Sequence, residues 1–251
     1  MGQIFRLSLR QLTSRSRLLL IVFLAALPVG LAALISALLG EDESSNTEFT
    51  NTLLDGLLIA GALPIVTMVL ATATFGNELE DRTLSYLAMK PLPRTLIVLP
   101  KLLAAIVVGG PLLIISGVVA TLLGAGGFGA VLLVVEGDAQ AALAVGLALL
   151  AGVVTYAAIF TWAGLMSTRA LAFALIYVLL WEGLISSLMP GVRYLSVRGY
   201  TLAIMHGLDD TTFADLGDRV IEFPAAIVGA VVTTAVFFLL TVRRLYRMDV
   251  P

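Results

Sequence analysis

Residues 18–39 read LLLIVFLAALPVGLAALISALL, without a charged residue. A helix needs about 20 predominantly apolar residues to cross the hydrocarbon of a bilayer. Backbone amides find no water there, so the chain closes its hydrogen bonds internally as a helix. Five further runs have the same character, at approximately 56–75, 102–123, 139–166, 170–189 and 224–242. Ser167, Thr168 and Arg169 separate the fourth run from the fifth. A charge at bilayer depth is costly, so these two read as separate helices. The expected fold is an all-α integral membrane protein, one transmembrane domain over residues 1–251 with six spanning helices.

The composition agrees. Of 251 residues 59% are hydrophobic and 13% charged, against about 45–50% and about 25% in soluble domains. So few charges cannot cover so much apolar surface in water. The formal net charge of −2 argues against a nucleic-acid partner. The absence of cysteine excludes a disulfide framework, a thiolate metal site and a thiol nucleophile.

Basic residues set the orientation. With six spans, both termini share a side. That side carries twelve of the fifteen Lys and Arg residues, and the other carries only Arg193, Arg198 and Arg219. The positive-inside bias predicts cytoplasmic termini in a multi-pass protein of the plasma (inner) membrane. The first run exceeds a signal h-region of about 7–15 residues and more spans follow, so a signal peptide is rejected. Arg6 breaks the myristoylation pattern that Met1-Gly2 begins.

Residues 1–17 are expected to form an interfacial helix on the inner leaflet. Phe5, Leu9 and Leu12 share one face, and Arg6, Arg10 and Arg17 another. The one rich inner loop reads FGNELEDRTLSYLAMKPLPRTLIVLPK, residues 75–101. Asn77 is placed to cap a short helix whose first turn holds Glu78, Glu80 and Asp81. Glu78 and Arg82 stand at i,i+4, and Pro91 and Pro93 end the helix. Arg94 and Lys101 flank the foot of span three, where long basic side chains reach headgroups. Such a helix, over 76–93, either docks on a soluble partner or lies on the membrane.

This segment resembles the first intracellular loop of ABC-2 type ABC transporter permeases. That family reads Glu, then Thr-Leu, then Pro-x-x-Arg, then Lys at the start of span three. Glu78, Thr83, Leu84, Pro91, Arg94 and Lys101 fit. Arg82 and Pro100 stand where glycines are common, and Pro100 is placed to kink the foot of span three. The resemblance implies a coupling helix that inserts into a separate ATPase subunit, with Glu78, Glu80, Arg82, Thr83, Leu84 and Leu87 as the coupling residues. It also implies that the N-terminal segment is an elbow helix and that two permeases, identical or paralogous, act together. The sequence has no G-x-x-x-x-G-K-[ST]. ATP and magnesium are therefore expected on the partner, and no cofactor, catalytic residue or metal site on this chain.

Glu182 is the one acid deep in a span, a functional candidate by position. Trp181 beside it favours a structural or interfacial role. Asp55 reads as a helix-terminus charge. Pro28, Pro64 and Pro111 predict kinks in the first three spans. Ala148/Gly152 and Ala226/Ala230 have the spacing of close helix contacts. Gly124–Gly129 reads as an outer turn. Residues 190–223 form the longest outer loop, lying in the outer leaflet or capping a pathway. His206, the lone histidine, carries no metal signature. The expected function is the membrane-embedded permease of an ATP-driven exporter, in contact with lipid and not itself an enzyme. A secondary transporter or channel is the alternative, though internal repeats and midplane polar residues are lacking. A membrane-embedded enzyme is weaker still, for no acid pair or nucleophile motif is present.

Overall fold

A computed structural model of the chain describes residues 2–39, 49–80, 93–133, 136–167, 169–185 and 194–247. The described residues form helices and no strand. Helix α1 is Gly2–Leu12, and α2 is Arg15–Leu39. Helix α3 is π-helical over Leu54–Ala62 and α-helical over Leu63–Glu80. Helix α4 is Thr95–Leu133, and α5 is Glu136–Met166. Helix α6 is α-helical over Ala170–Ile176 and π-helical over Tyr177–Ile185. Helix α7 is Val197–Leu208, and α8 is Phe223–Arg247 after a short 3-10 turn at Ala214–Arg219.

Among the described residues, five helices are long and apolar enough to cross a membrane: α2, α3 (from Phe49), α4, α5 and α8. The predicted fifth span is represented by the shorter apolar helix α6, and 186–189 lie outside the described residues. Helix α5 is the most deeply buried span and packs against α3, α4, α7 and α8. Helices α2 and α8 are the least buried, α2 against α4 and α8 against α5 and α7. Leu19, Phe23 and Leu38 of α2, Leu171, Phe173 and Leu179 of α6, and Val228, Val231 and Leu239 of α8 point outward. Apolar surface on this scale marks a face that meets lipid or another protein chain.

Three expectations change. The glycine-rich stretch Gly124–Gly129 continues helix α4 instead of turning. Gly124 earns its place by close approach, for a Cβ there would collide with the Thr50 side chain. Helix α4 therefore runs well beyond the predicted 102–123, over 39 residues and about 58 Å at 1.5 Å per residue, longer than the bilayer core is thick. Pro28, Pro100 and Pro111 lie inside continuous helices. Pro64 instead follows a change of helix type: the Leu63 N–H donates to the Leu58 carbonyl, five residues back. Proline has no N–H for the carbonyl four residues before it and crowds that carbonyl. Wider preceding turns ease the crowding, though they give the proline no donor. Finally, Asn77 caps no new helix, because α3 runs through it to Glu80.

At Gly164, a Cβ would stand 2.6 Å from the Thr72 carbonyl oxygen and 3.0 Å from its Cα. That neighbour is backbone and cannot swing away. Gly164→Ala should cost about 1–3 kcal/mol, seen as a lower melting temperature in detergent. Gly30→Ala in α2, where a Cβ meets nothing within 4 Å, should be neutral or stabilise by up to about 1 kcal/mol. Equal behaviour of the two variants would contradict this packing of α5 on α3.

Candidate functional site

The end of the bundle that carries α1, the foot of α3 and the head of α4 is rich in Arg and Lys. Leu12 and Ser8 of α1 are buried, with Phe5 and Leu9 half-buried against the core, while Arg6 and Arg10 are exposed. The amphipathic reading holds for α1. It ends at Leu12, not at residue 17, so Arg17 belongs to the first turn of α2. Arg17 turns inward: Nη1 donates to the Gln11 carbonyl at 3.1 Å and Nη2 approaches Asn77 Oδ1 at 3.5 Å. It thus ties the α1–α2 junction to the foot of α3.

Beside that contact lies a buried ion pair. Lys101 of α4 donates from Nζ to Glu78 Oε1 at 2.6 Å and to the Thr74 carbonyl at 2.5 Å. Its ammonium stands 4.6 Å from the Phe75 ring centroid, within cation–π range. Lys101 is 1% exposed, and the Glu78 side chain 13%. Lys101 does not reach for headgroups. An inward carbonyl, a carboxylate and an aromatic face together outweigh the gain from snorkelling. Glu78 points its carboxylate at Lys101, and its second oxygen, Oε2, is buried without a hydrogen-bond partner. Around the pair, Phe75, Ile97, Val98, Leu165, Val242 and Leu245 form an apolar cluster, with Ile4 packed against it. Helices α1, α3, α4, α5 and α8 meet there.

The other residues read as coupling positions divide. Glu80 is the last residue of α3. Arg94 is half-buried, and its carbonyl accepts from the Ile97 and Val98 N–H groups in the first turn of α4. Arg82, Thr83, Leu84, Leu87 and Pro91 lie outside the described residues.

The opposite, acidic end holds a second polar cluster that the sequence pointed to only through Glu182. This carboxylate is 2% exposed. Its Oε2 accepts from Ser196 Oγ at 2.5 Å, and its Oε1 from the Val197 N–H at 2.9 Å and from Tyr177 Oη at 3.4 Å. Asp55 is not merely a helix-end charge. Arg198 Nε and Nη2 donate to its two oxygens, both at 2.9 Å. The only sequence sign of this pair was two opposite charges on the same side of the membrane, 143 residues apart. Near α8, His206 Nδ1 meets the Phe213 carbonyl at 2.9 Å. Among the described residues, no group of His, Asp or Glu is arranged to hold a metal ion. Asp209 follows α7. Burial alone would raise its pKa, but hydrogen bonds from Thr211 and Thr212 outweigh that and hold its carboxyl below the ordinary value.

A family profile described as "ABC-2 family transporter protein" matches residues 13–189, more than half of the chain. The match runs from the end of α1 past α6 and takes in Glu78, Lys101 and Glu182. No curated protein matches the chain.

Removing one member of a buried ion pair strands the other, at a cost of about 3–5 kcal/mol. Lys101→Met should therefore lower thermal stability in detergent sharply. Adding Glu78→Gln to it should recover most of the loss, because a neutral amide is cheaper to bury than a lone carboxylate. A double variant as unstable as Lys101→Met alone would show that the Glu78 contact is not what Lys101 supplies.

Proposed function

The chain belongs to the ABC-2 transporter family, and from that premise we propose that it is the permease of an ATP-driven exporter whose ATPase is a separate chain. The observation that carries this reading is the basic end. Two long helices of a membrane-embedded bundle are clamped to each other there, on either side of the segment with the family's motif. The absence of a P-loop in the sequence supports placing ATP on a partner.

In this reading α1 is the elbow helix on the inner leaflet. The short apolar α6 completes six spans, and both termini face the cytoplasm of a plasma-membrane protein. The ATPase docks on the motif segment, with Glu80, Arg82, Thr83, Leu84 and Leu87 as contacts. Glu78 plays a different part from the one its motif position suggested. Already committed to Lys101, it fixes the foot of α3 to α4 and so keeps the docking segment on two helices that move together. Movement of the ATPases then tilts α3 and α4 as a unit. A pathway between two permease copies opens at the acidic end. No residue of this chain performs bond chemistry.

The test is purification of the tagged protein from its native membrane in mild detergent, with mass spectrometry of what accompanies it. A stoichiometric soluble chain bearing a Walker A motif is expected. Leu84→Asp with Leu87→Asp should reduce its recovery at least tenfold, while the permease keeps its melting temperature and elution profile. Repeated recovery of the chain alone would overturn the ATP-driven reading. Unchanged recovery with the double variant would overturn the docking assignment.

A further inference from the structure

We propose that the recess between α4 and α8, floored by α5, holds one acyl chain of a membrane phospholipid. Helices α4 and α8 both pack closely against α5 but scarcely against each other. The space left between them is about 490 Å3. Leu99 and Leu102 of α4 form one wall, Thr234 and Phe238 of α8 the other, and Ala151 and Thr155 of α5 the floor. It lies between the basic end and the middle of the bundle. Leu99 comes one turn after the start of α4, and Phe238 stands nine residues before the end of α8. Small side chains keep the space open: Ala151, Ala230 and Ala235 line it where leucines would fill it.

The recess offers nothing to a polar ligand. Of the side chains that line it, only Thr155 and Thr234 carry a polar group. The Thr234 hydroxyl donates to Thr155 Oγ1 at 3.3 Å, and the Thr155 hydroxyl donates to the Ala151 carbonyl at 2.8 Å. Neither proton is left over, so a polar group that accepts hydrogen bonds would lose water here and gain no donor. A hydrocarbon chain has no such group to satisfy. It also restores the dispersion contacts that an empty recess denies its walls. Against the convex outer face of α2 a lipid chain meets protein on one side. In the recess it meets protein on three sides, which lengthens its stay.

Size decides between a lipid chain and a helix of a second copy. From Ala230 to Phe238 the α8 wall is about 12 Å long at 1.5 Å per residue, so 490 Å3 makes a channel roughly 7 Å across. A helix with its side chains is about 10–12 Å across and does not enter. Carbons in contact stand about 4 Å apart, so a single hydrocarbon chain fits. Both walls include an exposed residue, Leu99 on α4 and Val231 on α8, so the recess is open to the surrounding lipid. The occupied recess spaces α4 and α8 on α5, and the packing of this part of the bundle is completed by lipid.

The test places the full chain in phosphatidylglycerol nanodiscs with a trace of phosphatidylglycerol that carries a photoreactive diazirine midway along one chain. After irradiation, peptide mass spectrometry locates the adducts. Val22 and Leu34 of α2 serve as controls, being exposed and at distances from the basic end similar to those of Phe238 and Ala230. The measurement needs no ATPase or substrate, so it stands apart from the ATP-driven reading. Adducts on residues 230–238 should exceed those on the α2 controls about tenfold, as for a site preferred over bulk lipid by one decade in affinity. Ala235→Phe and Thr234→Leu, made separately, fill the recess, and each should abolish the excess while labelling of α2 stays as it was. Equal labelling of α2 and α8 in the native chain would overturn the proposal. So would an excess that survives both substitutions. Weaker labelling of 230–238 than of α2 would show the recess covered by a second copy and would overturn it as well. If Ala235→Phe fails to give a monodisperse protein, Thr234→Leu decides by the same ratio.

Discussion

Inside hydrocarbon a backbone N–H or C=O has no partner but another protein group. That constraint makes every described span a helix, and it makes each interruption of a helix informative. At Pro64 the ring follows directly on a wider stretch of helix, which eases its crowding of the preceding turn. At Thr13 and Ser14 the chain leaves α1 for α2 with its groups still paired: the Thr13 hydroxyl and N–H return to the Leu9 carbonyl, and the Ser14 carbonyl accepts from the Leu18 N–H. At Ser196 the exposed start of α7 is closed by a carboxylate from another helix.

Charge obeys the same constraint more strictly. An ion inside the bundle is costly unless it is matched. Lys101 meets Glu78, Arg198 meets Asp55, and Glu182 meets a helix start. These contacts lie at opposite ends of the bundle: Lys101–Glu78 and Glu182 with the start of α7 join successive helices, and only Arg198–Asp55 joins helices far apart in sequence. Between them the buried residues are apolar side chains and hydroxyls such as Thr67, Ser116 and Thr155 that bond to backbone carbonyls, and small residues such as Gly152 and Gly164 let neighbouring helices approach.

The spans were legible because length and hydropathy alone decide them, and the α1 face was legible from the spacing of Phe5, Leu9 and Leu12. The family was legible because its motif survives in Glu78, Pro91, Arg94 and Lys101. The glycines of 124–129 misled. In water they favour a turn, but against Thr50 they permit a helix to pass close by. Asn77 misled for a related reason. Its side chain suits a cap, yet four turns of apolar α3 before it leave no cause for the helix to stop. Which charges pair was not legible. Lys101 had lipid headgroups as an equally reasonable destination, and Asp55 and Arg198 are joined only by the folded chain. Nor does a sequence advertise π-helical turns, except where a proline such as Pro64 follows one.

Helix α3 joins the two polar clusters. It carries Asp55 at one end and Glu78 at the other, and its two portions differ in kind. From Leu63 to Glu80 it is a regular α-helix, stiff along its axis and clamped by Lys101 at its foot. From Leu54 to Ala62 it is π-helical, with the hydrogen-bond register that has a nearby alternative. A displacement applied at the foot therefore travels through the stiff portion and is absorbed where the helix yields most easily. Asp55 sits in that yielding portion and holds Arg198 of α7. If the ATPase acts at the foot, the stiff portion carries the displacement as far as the segment that holds Asp55, with no chain of rearranging side chains through the core. One clamped helix with one compliant segment joins the two polar clusters, and Pro64 stands at the boundary between its two portions.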